Sequence, residues 1–232
     1  MNLARRSDTP ERMDTDCTDF EDYRRCLRDL SRVNRVTLTS RPTLAWLGRQ
    51  GLKSGERFSL LDVAFGYGDM LRAIRRWTNR RELDAELVGV DLNPWAARAA
   101  RDATPEADRI TYITGDAFAY QPEQPIDFII SAQFAHHLTD AELVRFIGWM
   151  ERTARRGWLI SDIERSRLAY FGFSVLATVA RWHHFVRSDG LISITRSFRA
   201  AELTERAADA GLGGVAAVRR HLPSRQTMER NR

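Results

Sequence analysis

An apolar segment followed by two closely spaced glycines, residues 60–70, constrains the fold of this 232-residue chain more than any other stretch. The part from Leu60 to Val63 predicts a buried strand, because central strands of a parallel sheet are covered on both faces and lose polar alternation. Gly66 and Gly68 then allow the backbone to turn sharply and to approach a ligand closely. A helix with apolar residues at helical spacing follows from residue 69. This order of strand, glycine turn and helix indicates a nucleotide-binding layout.

Four further strands are predicted along the chain, and helices follow most of them. They cover residues 86–91, 109–114, 126–131 and 157–162. Strands that alternate with helices predict an α/β fold with a doubly wound, Rossmann-like and mostly parallel sheet. Ligands bind such sheets outside the carboxyl ends of the strands.

Three acids, Asp62, Asp91 and Asp116, stand at or just after the ends of predicted strands. Asp91 follows Gly68 at about the spacing at which a carboxylate accepts both ribose hydroxyls of an adenosine. A dinucleotide site would place a third glycine where Leu71 stands. The pattern therefore indicates a nucleoside ligand that has no pyrophosphate.

Charge and cysteine content restrict the class of protein. The formal net charge is +5, and arginines collect near both ends of the chain. Basic ends fit either nucleic-acid binding or a solvated surface, and the interspersed acids favour the second, so a nucleic-acid partner is not expected. Cys17 and Cys26 are a poor disulfide framework, which suits a reducing cytoplasm. The sequence has no recognisable secretory signal and no apolar run long enough for a membrane helix.

Three motifs occur in order within residues 58–162: Asp62-Val-Ala64-Phe-Gly66-Tyr-Gly68, Val-Gly-Val-Asp91 and Gly-Asp116-Ala117. Together they resemble the class I S-adenosylmethionine-dependent methyltransferases, with Ala64 in place of the first glycine of the family's first motif. The resemblance implies that Asp91 holds the ribose, that Asp116 and Ala117 read the adenine, and that Ser131 meets the methionine part. The cofactor implied is S-adenosyl-L-methionine, held by Asp62, Ala64, Phe65, Gly66, Gly68, Asp69, Asp91, Leu92, Asp116, Ala117 and Ser131.

The resemblance extends to small-molecule O-methyltransferases of natural-product and quinone pathways, several of which carry a His-His pair after strand four and an acid after strand five. Here these are His136-His137 and Asp162. A histidine that titrates near neutrality can take the proton of a phenol while its oxygen attacks the sulfonium methyl group, and Asp162 can orient that imidazole. Alternatively, both histidines only cap the helix that begins at Thr139. The sequence offers no convincing set of acidic metal ligands, so no metal is expected.

A single domain is predicted, with four parts. Residues 1–57 are a helical cap, 58–162 the cofactor-binding core, 163–211 a helical lid region after strand five, and 212–232 a C-terminal strand and tail. The first 16 residues are expected to be frayed, and residues 191–195 to be extended. The two cap helices either cover the site or only the sheet edge, and the aromatic residues of 168–185 fit either a lid or a core helix. The polar tail makes a seventh strand doubtful, either degraded or supplied by a partner chain in a possible homodimer.

The sequence therefore predicts a cytoplasmic methyltransferase that acts on the oxygen of a small aromatic compound. The alternative is a relative of the same fold that binds the cofactor but does not transfer methyl groups. Methylation of nucleic acid is a third reading, and it depends only on the basic ends.

Overall fold

The computed structural model describes residues 3–122, 124–179 and 183–232. Its strands are β1 Arg57–Val63, β2 Asp84–Asp91, β3 Ile110–Thr114, β4 Phe128–Ala132, β5 Gly157–Ile163, β6 Ala217–His221 and β7 Arg225–Asn231. Its helices are α1 Arg12–Asp16, α2 Phe20–Val36, α3 Ser40–Gly48, α4 Asp69–Asn79, α5 Pro94–Asp102, α6 Asp140–Thr153, α7 Arg167–Val179, α8 His184–Arg196 and α9 Ala200–Asp209. None of the helices in these ranges has the length and hydropathy needed to cross a membrane.

The seven strands form one sheet in the order β3-β2-β1-β4-β5-β7-β6. Strands β1 to β5 pair in parallel, and β7 runs antiparallel to both β5 and β6. The strand order reverses between β1 and β4, and open α/β sheets bind ligands outside the strand ends at such a point. The predicted doubly wound, mostly parallel sheet is confirmed.

Helices cover both faces of the sheet, and each face has its own apolar core. On one face α3, α4 and α5 pack, and the buried ring of Trp46 lies edge-on to Phe128 with 5.6 Å between centroids. On the other face α6 and α9 pack against the same strands. The predicted capping box begins α6, because Thr139 and Glu142 each accept the other's backbone N–H. Strands covered on both sides hold their carboxyl ends in fixed positions, and these ends carry the predicted site residues.

The polar C-terminal tail forms a complete seventh strand, so the expectation of a degraded or partner-supplied strand is wrong. Residues 225–229 of β7 are all buried between β5 and β6. The Gln226 amide donates to the Phe198 carbonyl oxygen at 2.7 Å, and Arg49 donates to the Glu229 carboxylate at 2.8 Å. Buried polar side chains are stable where such partners exist. The partners lie far away in sequence, which is why local polarity gave the wrong expectation.

Residues 191–195 are helical in α8 and not extended as expected. β-Branched residues favour strands, but this preference is weak and tertiary contacts override it. Two polar side chains of α8 are buried against the N-terminal segment: Asp189 accepts the backbone N–H of Met13 at 2.8 Å, and Ser193 donates to Glu11 at 2.6 Å. Residues 180–182 of the predicted lid lie outside the described residues.

The N-terminal segment is packed where it was expected to be frayed. Leu3 and Glu11 are both buried, with 9% and 6% exposure. The guanidinium of Arg6 lies 3.5 Å from the ring centroid of Phe198 and donates to the Arg196 carbonyl oxygen at 2.7 Å. These contacts attach the segment to α8 and to the loop after it, so that it closes one side of the site described next.

Candidate active site

A cavity of about 1190 Å³ opens at the carboxyl ends of the central strands. Its wall contains most of the predicted site residues, namely Ala64, Phe65, Gly66, Asp69, Asp91, Leu92, Asp116, Ala117, His136 and His137. Ligand pockets usually measure about 300–1,000 Å³, so this cavity has room for more than one small ligand.

The turn after β1 has left-handed backbone at three alternate residues. Ala64, Gly66 and Gly68 have φ angles of 60°, 54° and 71°. Gly68 is the N-cap of α4, and its N–H donates to the Phe65 carbonyl oxygen at 2.8 Å. The predicted glycine turn is therefore present, and it points the start of α4 toward the cavity.

Asp91 ties this turn to the end of β2. One carboxylate oxygen accepts the N–H of Gly66 at 3.0 Å, and the other accepts the N–H of Asn93 at 2.9 Å. Burial raises the pKa of Asp91, while these two hydrogen bonds oppose that shift. A buried carboxylate at the cavity wall is suited to accept hydroxyl hydrogen bonds from a ligand.

The loop after β3 forms the next part of the wall. Asp116 accepts the N–H of Phe118 at 2.9 Å, which fixes the turn, and Ala117 is buried beside it. Leu92 is 70% exposed and stands at the cavity mouth. A flat ligand group between Leu92 and the 116–118 turn would have an apolar side and a polar edge.

Asp62 lies beneath this wall with no hydrogen-bond partner among the described residues. Both of its carboxylate oxygens are buried and unpartnered there. Burial, and then the charges of Asp69 and Asp91, raise the pKa of Asp62 well above its usual range. It borders a small cavity of about 150 Å³ that shares Ala64 and Gln133 with the large one. An unpartnered buried carboxylate is a place for a cationic or donor group of a ligand.

Three other predicted residues stand behind the main cavity wall. The Ser131 hydroxyl donates to the Val63 carbonyl oxygen at 3.0 Å inside the sheet. A Cβ added at Gly68 would lie 2.5 Å from the Tyr112 hydroxyl oxygen, so this glycine is needed for packing. Asp162 is the next-to-last residue of β5 and is hydrogen-bonded to His136, which lines the cavity.

The two histidines lie in a short turn after β4, and Asp162 holds the first of them. The Asp162 carboxylate accepts the backbone N–H of His136 at 2.9 Å, and its oxygens lie 2.9 and 3.0 Å from His136 Nδ1. Both side chains are 3% exposed. This pairing fixes the ring so that Nε2 points away from Asp162. A third group beside a base commonly orients an imidazole in this way.

A third acid, Glu11, faces the histidines from the N-terminal segment. Glu11 Oε1 lies 3.3 Å from His136 Nε2 and 3.7 Å from His137 Nε2. Burial alone would lower the pKa of His136, but the charges of Asp162 and Glu11 outweigh it and raise that pKa to about 10. Burial and the charge of His136 lower the pKa of His137 to about 4. Neither ring therefore titrates near neutrality in the ligand-free chain.

Two arginines fix the backbone of this cluster. Arg196 donates to the carbonyl oxygens of His136 and His137 at 3.2 and 3.1 Å, and Arg6 donates to that of Leu138 at 2.8 Å. Arg196 also donates to the Thr9 carbonyl oxygen at 3.1 Å. The N-terminal segment, α8 and the histidine turn are thus joined into one wall.

Sequence reasoning missed Glu11 and Ser193. Glu11 stands in the polar stretch Ser7–Asp16, where no spacing or motif distinguishes it from neighbouring acids. Ser193, which donates to it at 2.6 Å, stands on a segment expected to be extended. Only the folded chain brings them to the histidines, and the sequence carried no signal for either.

Comparisons with known proteins agree with this geometry. Residues 60–157 match the family model of a methyltransferase domain. No curated protein matches the sequence. Among solved structures, an S-adenosylmethionine-dependent methyltransferase from Aquifex aeolicus has a TM-score of 0.59 and 17% identity, covering 92% of this chain and 98% of its own.

Two further structures have the same fold. Magnesium protoporphyrin IX methyltransferase from Synechocystis PCC 6803, solved with S-adenosylmethionine, has a TM-score of 0.59 and 17% identity, covering 99% of this chain and 98% of its own. Human N-acetylserotonin methyltransferase, also solved with S-adenosylmethionine, has a TM-score of 0.64 and 13% identity, covering 92% of this chain and 56% of its own. At these identities the likeness establishes the fold.

Proposed function

We propose that the protein methylates the oxygen of a small aromatic acceptor, on the premise that residues 60–157 match a methyltransferase domain and that the fold is shared with S-adenosylmethionine-dependent methyltransferases. One observation carries the proposal. One cavity is lined both by Gly66 and Asp91 and by the histidine pair. A methyl donor and an acceptor can therefore meet inside it.

The residues present fit S-adenosylmethionine. Asp91 offers carboxylate oxygens to the ribose, and the turn that begins with Asp116 borders the space for the adenine. The unpartnered carboxylate of Asp62 suits the ammonium group of the methionine part, which is a cation. When bound, this cofactor supplies a methyl group on a positively charged sulfur, which a nucleophilic oxygen can displace.

The acceptor end of the cavity favours a planar aromatic compound. Beside the histidines the lining includes Phe134, whose ring lies 6.4 Å from that of His137, and Phe146, whose ring lies 5.5 Å from that of Phe134. Aromatic rings recognise flat apolar ligands through offset or edge-to-face contacts. His136 and His137 provide the polar groups at this end. Because the raised pKa of His136 keeps its ring protonated and the lowered pKa of His137 keeps its ring neutral, we assign the removal of the acceptor's proton to His137, with Asp162 as the residue that orients the neighbouring His136. The chain also holds donor and acceptor in line, and alignment alone can supply a large part of the rate.

Cofactor binding is tested first, by calorimetry with S-adenosylmethionine and S-adenosylhomocysteine. We expect micromolar affinity for the wild type and about 10- to 100-fold weaker binding for Asp91→Ala, because charge-assisted hydrogen bonds to the ribose are lost. Asp84→Ala, at the exposed start of the same strand, is the matched control and should bind as the wild type does. A wild-type protein that takes up neither compound would contradict the proposal.

Methyl transfer is tested with trideuteromethyl S-adenosylmethionine and a panel of phenols, catechols, hydroxyquinones, aromatic acids and arylamines. The expected product gains one labelled methyl group on oxygen, located by mass spectrometry and NMR. His137→Ala should lower kcat about 10²- to 10⁴-fold, the usual loss when a general base is removed. His136→Ala should lower kcat too, because the His136 ring lies 4.4 Å from that of His137 and helps to hold it in place. The control is His184→Ala, because His184 is exposed at the start of α8 and belongs to a separate pair, His183-His184. Cofactor binding without methyl transfer to any acceptor would instead support the non-methylating alternative. A labelled methyl group on carbon or nitrogen would show that the methylated atom is not oxygen.

A further inference from the structure

Three side chains from two distant parts of the chain converge at the acceptor end of the cavity. Glu11, His136 and His137 each offer one ligand atom, and these atoms lie within 4.8 Å of one another. Glu11 Oε1 is 3.3 Å from His136 Nε2 and 3.7 Å from His137 Nε2. From this geometry we propose that Glu11, His136 and His137 bind a divalent first-row transition-metal ion.

The distances from Glu11 to the two imidazole nitrogens are close to those between neighbouring metal ligands. Bonds of about 2.0–2.2 Å to a zinc-like ion place neighbouring ligand atoms roughly 3–3.5 Å apart. A proton can bridge Glu11 to only one of the imidazole nitrogens at a time. A metal ion at the centre of the triangle would satisfy all three atoms together.

The surroundings of the ligands also match a metal site. A metal-binding histidine usually donates its other ring N–H to a carboxylate, which fixes the ring. His136 has this arrangement, since Asp162 oxygens lie 2.9 and 3.0 Å from Nδ1, opposite the nitrogen that faces Glu11. Ser193 orients the Glu11 carboxylate by donating to the same oxygen at 2.6 Å. Hydrogen bonds with Asp162 and Ser193 thus fix the positions of His136 and Glu11, respectively.

The ligand set indicates which ion would bind. Two imidazoles and one carboxylate favour ions such as Zn²⁺, Fe²⁺ or Co²⁺, whereas Mg²⁺ prefers oxygen ligands alone. Three protein ligands leave at least one position open, and all three residues line the cavity, so the open position faces the acceptor space. If the proposed function holds, the acceptor's hydroxyl oxygen would bind the ion at this open position. The ion would then lower the pKa of that hydroxyl group, in place of a histidine base.

Metal binding is tested without cofactor or acceptor, so that its outcome is independent of the proposed function. The full chain is treated with a chelator, dialysed and titrated with Zn²⁺ by calorimetry, and bound metal is counted by elemental analysis. Co²⁺ serves as a visible-absorption probe of coordination. We expect one equivalent of Zn²⁺ per chain and no binding of Mg²⁺ at the same concentrations.

Variants locate the site. Glu11→Gln, which keeps the shape of the side chain, and His137→Ala should abolish stoichiometric binding, and Asp162→Asn should weaken it about 10- to 100-fold. His183→Ala is the matched control, because His183 belongs to another histidine pair, His183-His184, and its Nε2 also lies 3.0 Å from a carboxylate, that of Asp22. Cys17→Ser controls for a thiol ligand. If His137→Ala does not fold by circular dichroism, the Glu11→Gln result decides.

The outcomes separate the possibilities. No stoichiometric Zn²⁺ uptake by the wild type, or uptake that survives in folded Glu11→Gln, would overturn the proposal and leave a hydrogen-bonded ion cluster. Uptake lost in His183→Ala or Cys17→Ser would also overturn it, by placing the metal elsewhere. A chain that binds Zn²⁺ at Glu11 but no S-adenosylmethionine would keep this inference and sink the proposed function.

Discussion

At the scale of single residues, Gly66 and Gly68 have similar backbones and different surroundings. Both have a left-handed φ, but a Cβ at Gly68 would lie 2.5 Å from Tyr112, whereas a Cβ at Gly66 would meet only Leu27, at 3.8 Å. A substitution at Gly68 therefore tests packing of the fold. Gly66 lines the cavity and is the position that tests ligand binding.

We expect Gly66→Ala to lower cofactor affinity at least tenfold, because its methyl group would stand in the cavity wall. The left-handed backbone also costs an alanine about 1–2 kcal/mol. Gly51→Ala is the matched control, since Gly51 has φ 69°, has nothing within 4 Å of an added Cβ and lies away from the cavity. Thermal denaturation should show similar losses of stability for both variants, and calorimetry should show weaker binding for Gly66→Ala only. Equal affinities in the two would place the cofactor elsewhere.

Asp62 should make the ligand-free protein less stable as pH rises. An acid with a folded-state pKa above its unfolded value binds more protons when folded, so stability falls as pH rises from about 4 through the folded-state pKa. The pKa of Asp62 is raised by burial and by the charges of Asp69 and Asp91. We expect Asp62→Asn to stabilise the free chain by about 1–3 kcal/mol at high pH, and by little near pH 4.

Urea denaturation of Asp62→Asn and of the wild type across this pH range measures the difference in their free energies of unfolding. Asp84→Asn, at an exposed position, is the control and should match the wild type at each pH. A stability difference between Asp62→Asn and the wild type that does not grow with pH would show that the carboxylate is not forced to ionise in a buried site. The same variant should bind S-adenosylmethionine more weakly, because an amide cannot pair with its ammonium group.

At the scale of elements, the N-terminal segment is held over the cavity by a few side chains. Arg6 contacts Phe198, Arg196, Leu138 and Asp140, and the neighbouring Arg5 is exposed. Glu11 depends on this attachment for its position beside the histidines. The segment is therefore held by hydrogen bonds and side-chain packing, and within the described ranges it does not pair with the sheet.

We expect Arg6→Ala to speed amide hydrogen exchange in residues 3–16 about tenfold or more, because several hydrogen bonds are lost together. Exchange in β1, β4 and β5 should stay at the wild-type rate. Arg5→Ala provides the matched control and should change neither region. Unaltered exchange in residues 3–16 of Arg6→Ala would mean that other contacts hold the segment.

At the scale of the whole molecule, the C-terminal hairpin completes the sheet. β7 pairs with β5 along seven residues and places Met228 in the core that α6 and α9 cover. Met228 is fully buried, whereas Leu222, in the turn of the same hairpin, is 95% exposed. The chain end is thus part of the central sheet and of its second core.

Met228→Ala should lower the free energy of unfolding by about 2–5 kcal/mol, through lost burial and a cavity. Leu222→Ala is the matched control, and it should change stability by less than about 0.5 kcal/mol. Urea denaturation followed by circular dichroism measures both. Equal, small losses would mean that the hairpin contributes little to the stability of the domain.

The sequence by itself determined the central part of this molecule. The strand that contains Asp62, the glycine turn, the acid at Asp91 and the capping box at Thr139 could all be predicted, because each depends on residues within a few positions of one another. Local backbone geometry and burial on both faces decide such elements, and both leave a pattern in the sequence. The fold class followed from the order of these elements.

Only the tertiary structure decided what surrounds the histidine pair. Glu11 reaches His136 across 125 positions of the chain, and β7 is buried because distant residues pair with its polar side chains. The polar residues of α8 likewise face the N-terminal segment and not solvent. A buried polar side chain is stabilised by whichever partner the fold brings to it, and that partner leaves no periodicity or spacing in the sequence around it.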